Sequence, residues 1–407
     1  MALRSTAAAL RRSIDEAPAR AHRGLGCVRF FSDGTLATAA EYEEATVLVR
    51  QLLATADIGP LHGTSSVRLE PLSGGRSAAR LYKLTPLTGG EHRTAARPVV
   101  LKIAPLDEGS REKANFDTFV RPVLPPAWRP DLLGYTRTSR SVALCYSFVG
   151  NEDGTRAHTL TDHLREGDTA KLGSFLAESL ELLHDKWHSR RLIRSEADLA
   201  QRYLNRYFRQ AQSLAVAEAA LSRCAARYFN GRERQGQWQI GNAEFPSPRV
   251  ALFAAARRYP YRSCILHGDL NSDNIIIARG RAHPVLVDFQ RTGRGHLYED
   301  FIALEASVRI NYPSDASIDD IFEQERLIAL GACDRRDTAY TAAGRQIRDT
   351  ASDRFGAIED DMTYHFAVAA VGLRLMHARD LSDIARARIT ASIFWATRAM
   401  LIDAPMR

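Results

Sequence analysis

The sequence predicts an α+β chain of two lobes, a small β-rich lobe followed by a larger, mostly helical one. Three observations carry this. Residues 67–104 hold short apolar or alternating runs separated by paired-glycine turns. After Leu160 the apolar residues recur mostly with helical period. One strand–turn–strand stretch, 263–290, interrupts the helices and carries clustered polar residues.

Each element has its own signal. Between Glu41 and Thr55, Tyr42, Ala45, Val49 and Leu52 recur at helical spacing, giving a helix that leads into the domain. Val67–Leu72, Ala79–Leu84 and Pro98–Ile103 read as strands, with Ser73-Gly74-Gly75 and Thr88-Gly89-Gly90 as turns. Residues 111–120 read as a helix and Val142–Val149 as a buried strand. Helices are expected at about 160–188, 195–228, 248–258, 318–330 and 357–402. The organisation read from this pattern is 1–31 as a leader, 32–150 as the leading helix and β-rich lobe, and 151–407 as the helical lobe.

Composition narrows the function classes. With 45% apolar and 25% charged residues in 407, the chain has the make-up of a globular protein and not of a collagen-like, disordered or disulfide-rich one. No window offers the roughly 18 uninterrupted apolar residues of a membrane-spanning helix. The five cysteines, Cys27, Cys145, Cys224, Cys264 and Cys333, form no CxxC pair, which argues against a zinc or disulfide framework and for a reducing compartment. Of the 55 cationic residues only five are Lys, and the formal charge is +7. No basic block is interleaved with aromatics, and Arg is mixed with Asp and Glu along the helices, so the charge pattern argues against a nucleic-acid partner.

Residues 1–31 differ from the rest. They carry six Arg (Arg4, Arg11, Arg12, Arg20, Arg23, Arg29) against Asp15 and Glu16, a net +4 of the total +7. Leu3, Ala7, Leu10 and Ile14 share one helical face. An amphipathic, Arg-rich, acid-poor start is the pattern of an organellar import peptide, and Arg29-Phe30-Phe31-Ser32 resembles the processing site of mitochondrial presequences. The expectation is a cleaved leader and a mitochondrial-matrix location; an Arg-biased terminus on a cytoplasmic protein is the alternative.

The sharpest signal is Ile265-Leu266-His267-Gly268-Asp269-Leu270-Asn271-Ser272-Asp273-Asn274, followed by Ile275-Ile276-Ile277 and then Val285-Leu286-Val287-Asp288-Phe289. Asp269, Asn274 five residues later and Asp288 fourteen beyond that offer one carboxylate to take a hydroxyl proton, and an amide oxygen with a second carboxylate to hold Mg2+. Hard oxygen donors suit Mg2+ and not zinc.

This stretch resembles the catalytic core of the protein-kinase-like superfamily, in particular the aminoglycoside-phosphotransferase branch, which has His-Gly-Asp-x-x-x-x-Asn where protein kinases have His-Arg-Asp-x-x-x-x-Asn. The wider string from Asp288 to His296, with Asp300-Phe301 and Leu304-Glu305, is closer to the kinase-like ternary-complex-associated domains of bacterial conflict systems. The resemblance implies a bilobal kinase-like fold, Asp269 as catalytic base, Asn274 and Asp288 as Mg2+ ligands, His267 as an orienting residue and Asp300 as a brace under the loop.

It also implies an ATP site. Glycines in Glu70-Pro71-Leu72-Ser73-Gly74-Gly75-Arg76-Ser77 let backbone N–H groups approach phosphate, so Gly74, Gly75 and Ser77 are candidate nucleotide contacts. Val99-Val100-Leu101-Lys102-Ile103 resembles the Lys-bearing third strand of kinases. A Lys in an apolar run needs a partner, and Lys102 has Glu112 as first candidate and Glu108 as second. The adenine-receiving hinge is expected near Tyr146–Gly150. Gln290 stands where protein kinases have Gly, and no Ala-Pro-Glu segment follows, so activation-loop control is not expected.

Together these readings imply an ATP- and Mg2+-dependent phosphotransferase acting on a hydroxyl of a small molecule or a protein. The alternative is a non-catalytic nucleotide-binding or interaction module on the same fold.

Overall fold

Alternating apolar residues put Val67 and Leu69, and likewise Val99 and Leu101, on one face of a sheet, where they are almost fully buried. The computed structural model describes residues 28–30, 39–54, 66–72, 79–87, 97–151, 157–189, 192–195, 198–208, 211–253, 260–279, 283–314, 316–332 and 338–402. The chain divides into two compact units, Met1–Leu106 with Leu133–Tyr146, and Asp107–Leu132 with Ser147–Arg407.

Among the described residues the first unit is a six-stranded sheet with one helix. Its strands are β1 (Val28–Phe30), β2 (Ser66–Pro71), β3 (Arg80–Leu87), β4 (Val99–Pro105), β5 (Leu132–Arg137) and β6 (Ser141–Ser147), in the order β1-β2-β3-β4-β6-β5. β2–β3–β4 is an antiparallel meander with Glu70 opposite Lys83 and Lys102 opposite Leu81. β1 runs parallel to β2, Val28 to Phe30 against Val67 to Leu69, so these three residues of the expected leader form an edge strand. Met1 to Cys27, Phe31 and the glycine turn 73–78 lie outside the described residues.

Helix α1 (Ala39–Ala54) covers the sheet, as its spacing predicts. Leu48, Val49 and Leu52 are fully buried against Val67, Leu69, Leu84, Val99, Leu101, Ala143 and Cys145, at about 1.5–3 kcal/mol for each large aliphatic side chain removed from water. Thr138 donates to Glu44 and Thr136 to Gln51, which fastens the helix to the β5–β6 hairpin. Burial pushes the Cys145 thiol up to about 12. The described cysteines Cys145, Cys224 and Cys264 are free and buried.

The second unit is mostly helical. It begins with α2 (Leu106–Asn115), earlier than the 111–120 expected, and a wider turn over Phe116–Val120. β7 (His158–Thr159), α3 (Leu160–Arg165) and α4 (Thr169–Leu183) follow. The continuous helix expected from 160 breaks at Gly167, whose φ of +76° suits glycine, and Asp168 caps the next helix. β8 (Ile193–Ser195), α5 (Leu199–Tyr207) and α6 (Ala211–Phe229) occupy the span read as one helix.

Next comes a meander, β9 (Arg232–Arg234), β10 (Gln237–Ile240) and β11 (Ala243–Pro246), which the sequence reading missed. Gln237 to Ile240 alternate exposed and buried, the period-two signal that marks it. α7 (Pro248–Phe253) leads to β12 (Tyr261–Leu266), β13 (Ile275–Ile277), β14 (Val285–Leu286) and β15 (Gly293–His296). The single hairpin-like insert is therefore two small sheets, β15-β12-β8 and β14-β13-β7. Among the described residues five helices close the unit: α8 (Glu299–Asn311), α9 (Ile318–Leu330), α10 (Ala339–Phe355), α11 (Asp361–Leu375) and α12 (Asp383–Ile402). The helix expected over 357–402 is the pair α11 and α12. Among the described residues no helix is long and apolar enough to cross a membrane.

The helices α8–α12 enclose a buried charge network. Glu305 accepts from Arg309, Arg348 and Tyr364, and Arg309 and Tyr340 both donate to Glu325. Burial would raise the Glu305 carboxyl, but the Arg348 and Arg309 guanidiniums override it and hold the group at about 2. Burial lowers His296 and His365 to about 3, so both are neutral in the folded chain.

Two outcomes follow. Glu305→Gln leaves Arg348 without its carboxylate and Arg309 with Glu325 alone, and should lower unfolding free energy by about 3–5 kcal/mol in urea titrations; a change below about 1 kcal/mol would remove the network from the stability argument. The unfolded state takes up protons on both histidines below their ordinary value of 6.5. Stability should therefore fall as pH drops from about 6.5 towards 3, with Glu305 adding to the loss from about 4.5 to 2. The urea midpoint of His296→Gln/His365→Gln, followed from pH 7 to 4.5, should show a shallower fall.

Candidate active site

The loop from His267 to Asn274 leaves β12 and enters β13 through a short turn. Asn271 N–H donates to the Asp269 carbonyl (2.7 Å), and the Asn271 side chain accepts from Asp273 N–H (3.0 Å). Asn274 Nδ2 donates to the same Asp269 carbonyl at 2.8 Å. The Asn274 carbonyl accepts from Val287 N–H at 3.0 Å, which joins the loop to the strand before Asp288. Asn274 and Asp288 thus flank the adjacent ends of β13 and β14, and Asn274 ties the Asp269 backbone to them.

The loop is held from below by α8. Asp300, fully buried at the helix start, accepts from His267 N–H through Oδ2 and Gly268 N–H through Oδ1, both at 2.9 Å. Burial opposes ionisation of Asp300, but the His188 ring (Nε2 at 3.9 Å), His267 and the Gly268 N–H outweigh it, and its carboxyl lies below the usual range. Its neighbour Glu299 binds Arg202 (2.7 Å) and Arg206 (2.8 Å), and Arg206 also donates to the Gly268 carbonyl. Thr292 donates to the His267 carbonyl at 3.1 Å. The His267 ring is buried, with Nε2 donating to the Val287 carbonyl at 3.0 Å, which fits an orienting residue and not a proton carrier.

Gly268 is required by geometry. Its φ is +78°, and a Cβ there would lie 2.2 Å from the Arg291 carbonyl oxygen. Asp288 also sits in the left-handed region, at φ 63° and ψ 72°, a conformation that Asp and Asn tolerate better than most residues. After it, Phe289 is buried among Phe116, Trp187 and His267, with ring centroids 5.8, 6.5 and 5.2 Å away. Asn115, at the end of α2, donates to the Gln290 carbonyl at 2.8 Å. The chain then enters β15, where Gly293 pairs with Leu266, so the described backbone leaves no room for a long activation segment.

The other expected residues are placed as follows. Lys102 is buried on β4 in the first unit, and Glu112 is buried on α2 in the second. Glu108 on the same helix is only half-buried. Gly74, Gly75 and Ser77 lie outside the described residues. The division between units falls between Tyr146 and Ser147, at the start of the expected hinge.

Sequence reasoning missed Arg206, Glu299, Asn115 and Arg291. Arg291 Nε lies 3.9 Å from the part-exposed Asp269 carboxylate. Its place three residues after Asp288 was visible, but nothing in the spacing marks the strand reversal that turns it back on Asp269.

Asn274 and Asp288 fit a hard divalent ion: with Nδ2 committed to the Asp269 carbonyl, Asn274 presents Oδ1, and Asp288 presents a carboxylate. Residues 209–354 match the family model described as ternary complex associated domain 9. That span contains the whole of the loop, Asp288 and Asp300. No curated protein is similar to the chain in sequence. Among solved structures, the aminoglycoside phosphotransferase APH(3'')-Id from Streptomyces rimosus has 17% identity over 82% of this chain and 97% of its own, with a TM-score of 0.38. A thermostable mutant of aminoglycoside phosphotransferase APH(4)-Ia, bound to ADP and hygromycin B, has 12% identity over 83% and 95%, with a TM-score of 0.42. Plasmodium vivax ethanolamine kinase has 12% identity over 90% and 94%, with a TM-score of 0.41. By its own secondary structure the chain is α+β, with a sheet-rich first unit and a mostly helical second one.

Asp300→Asn replaces one of two acceptor oxygens by a donor and leaves one loop N–H unsatisfied. It should cost about 1–3 kcal/mol and raise amide hydrogen exchange across 267–274 selectively. Exchange that rises equally throughout the second unit would show that Asp300 is not a specific brace for the loop.

Proposed function

We propose that the chain is a phosphotransferase that moves the γ-phosphate of ATP, with Mg2+, onto a hydroxyl of a small molecule or protein. The observation that carries this reading is the Asp269 loop. A part-exposed carboxylate stands on a backbone clamped at both ends, by Asp300 and Arg206 at Gly268 and by Asn274 at the Asp269 carbonyl.

Mg2+·ATP, when bound, supplies the transferable phosphoryl group and much of the charge that offsets its oxygens. Asp269 orients the acceptor hydroxyl by accepting its hydrogen bond and then takes its proton, a contribution of about 10²–10⁴ in rate. Asn274 Oδ1 and the Asp288 carboxylate hold the cation. Lys102 is assigned to phosphate oxygens, and Glu112 to keeping a cationic side chain in position. Gly74, Gly75 and Ser77 are assigned to backbone contact with the phosphates. Arg291, close to Asp269, adds positive charge on the acceptor side.

The test uses labelled ATP, Mg2+ and a cell extract as acceptor source, with nucleotide binding followed separately by thermal shift. Asp269→Asn should lower transfer at least about 100-fold while the ATP-induced shift survives. Asp288→Asn, which tolerates the same backbone conformation, should remove the Mg2+-dependent part of that shift at nearly unchanged stability. Wild-type binding without transfer to any fraction would instead support the non-catalytic module. Label that enters protein, and not a small metabolite, would identify a protein acceptor.

The leader is part of the same proposal. Protein recovered from mitochondria should begin near Ser32; a cytoplasmic protein that retains Met1 would end that part of the reading.

A further inference from the structure

The segment 158–168 carries a set of ligating side chains that the phosphotransferase reading leaves unused. His158 lies on β7, where it pairs with Ile277 of β13. A capping box then fixes the corner into α3: Thr159 N–H donates to Asp162 Oδ2 at 2.8 Å, and the Thr159 hydroxyl accepts from Asp162 N–H. His163 and Glu166 are three residues apart at the end of that helix, so they share a face. One ring nitrogen of His158, one of His163 and a carboxylate oxygen of Glu166 all lie within 4.8 Å of one another. The two rings have centroids 5.6 Å apart.

His163 is the fixed member of the set. Its side chain is only 14% exposed, and neither ring nitrogen makes a hydrogen bond. The nearest acid, Asp168, has Oδ2 3.5 Å from Nδ1 and uses Oδ1 to cap α4 through Ala170 N–H and Lys171 N–H. His158 and Glu166 are exposed.

We propose that His158, His163 and Glu166 form a site for a divalent transition metal of the zinc type, separate from the Asn274–Asp288 pair and independent of the phosphotransferase reading. Two imidazoles and a carboxylate are donors that zinc takes and Mg2+ does not select. Bonds of about 2.0–2.1 Å in a tetrahedron require donors about 3.3 Å apart. Two of the three side chains that would close to that spacing, His158 and Glu166, are exposed. Asp168 acts behind the site: a carboxylate facing Nδ1 holds the ring with Nε2 available to the metal. The bound ion would tie a strand residue to the far end of α3, the helix whose Thr161 hydroxyl lies 2.5 Å from that of Ser272 in the Asp269–Asn274 loop.

The test is a zinc titration of the full chain, first stripped with a chelator and dialysed, against a chromogenic competitor. The wild type should retain one equivalent, and Mg2+ should not displace it. His158→Ala and Glu166→Gln, both at exposed positions, should each weaken binding, and His158→Ala/His163→Asn should abolish it. Asp168→Asn keeps the helix cap and should weaken binding about tenfold. The absence of a retained equivalent in the wild type would overturn the proposal. So would an equivalent held with undiminished affinity by the double histidine variant, which would place zinc elsewhere in the chain.

Discussion

The Asp300 carboxylate, fully buried and bonded to two successive backbone N–H groups, is the interaction on which the site depends. Backbone amides in a left-handed loop cannot pair with a strand neighbour, and left unpaired in the interior they would destabilise the fold. The start of a helix favours an anionic side chain, and α8 supplies one there. Because Asp300 is rooted in α8, the height of the loop is set by the packing of the whole helical unit. Glu299, one residue earlier, extends the same support through Arg206 to the carbonyl side of Gly268. Both polar faces of one peptide segment are thereby held by two adjacent acids.

Much of this was legible in the sequence. The meander β2–β4, α1 and the spans around Asp269 and Asp288 follow apolar alternation or helical period, because their neighbours are water on one side and core on the other. α8 and α10 were not legible. Ten of the thirteen residues of α8 are buried, among them Glu299, Asp300, Glu305 and Arg309. A helix that buries charge against charge presents no polar stripe, so its period is hidden. α10 turns small residues such as Ala343, Gly344 and Ala351 inward, which gives a weak apolar signal. In the site, Asp269, Asn274 and Asp288 were readable because they lie close in sequence. Asn115, Arg206 and Glu299 were not, because only the tertiary fold brings them to the loop.

The arginine excess also takes on a structural meaning. Arg388, 1% exposed, donates to the carbonyls of Arg309, Tyr312 and Pro313 and lies over the Tyr340 ring. Arg129 donates to the carbonyls of Leu124 and Pro130, and Arg386 to those of Ala378 and Arg379. A planar guanidinium with five donors can satisfy several carbonyls at chain reversals while it stacks on an aromatic ring, which an ammonium cannot do. These three arginines thus serve as cement for loop carbonyls.

The parallel pairing of Val28–Phe30 with β2 has a consequence for what remains if the leader is removed near Phe31. The cut would take the edge strand with it and uncover the outer rim of β2 along Val67–Leu69, where β1 now pairs. Exposed rims of this kind accept a strand from elsewhere, whether a second copy or a foreign segment. Maturation would then do more than release a sorting signal: it would replace the three-residue edge β1 by the longer edge β2.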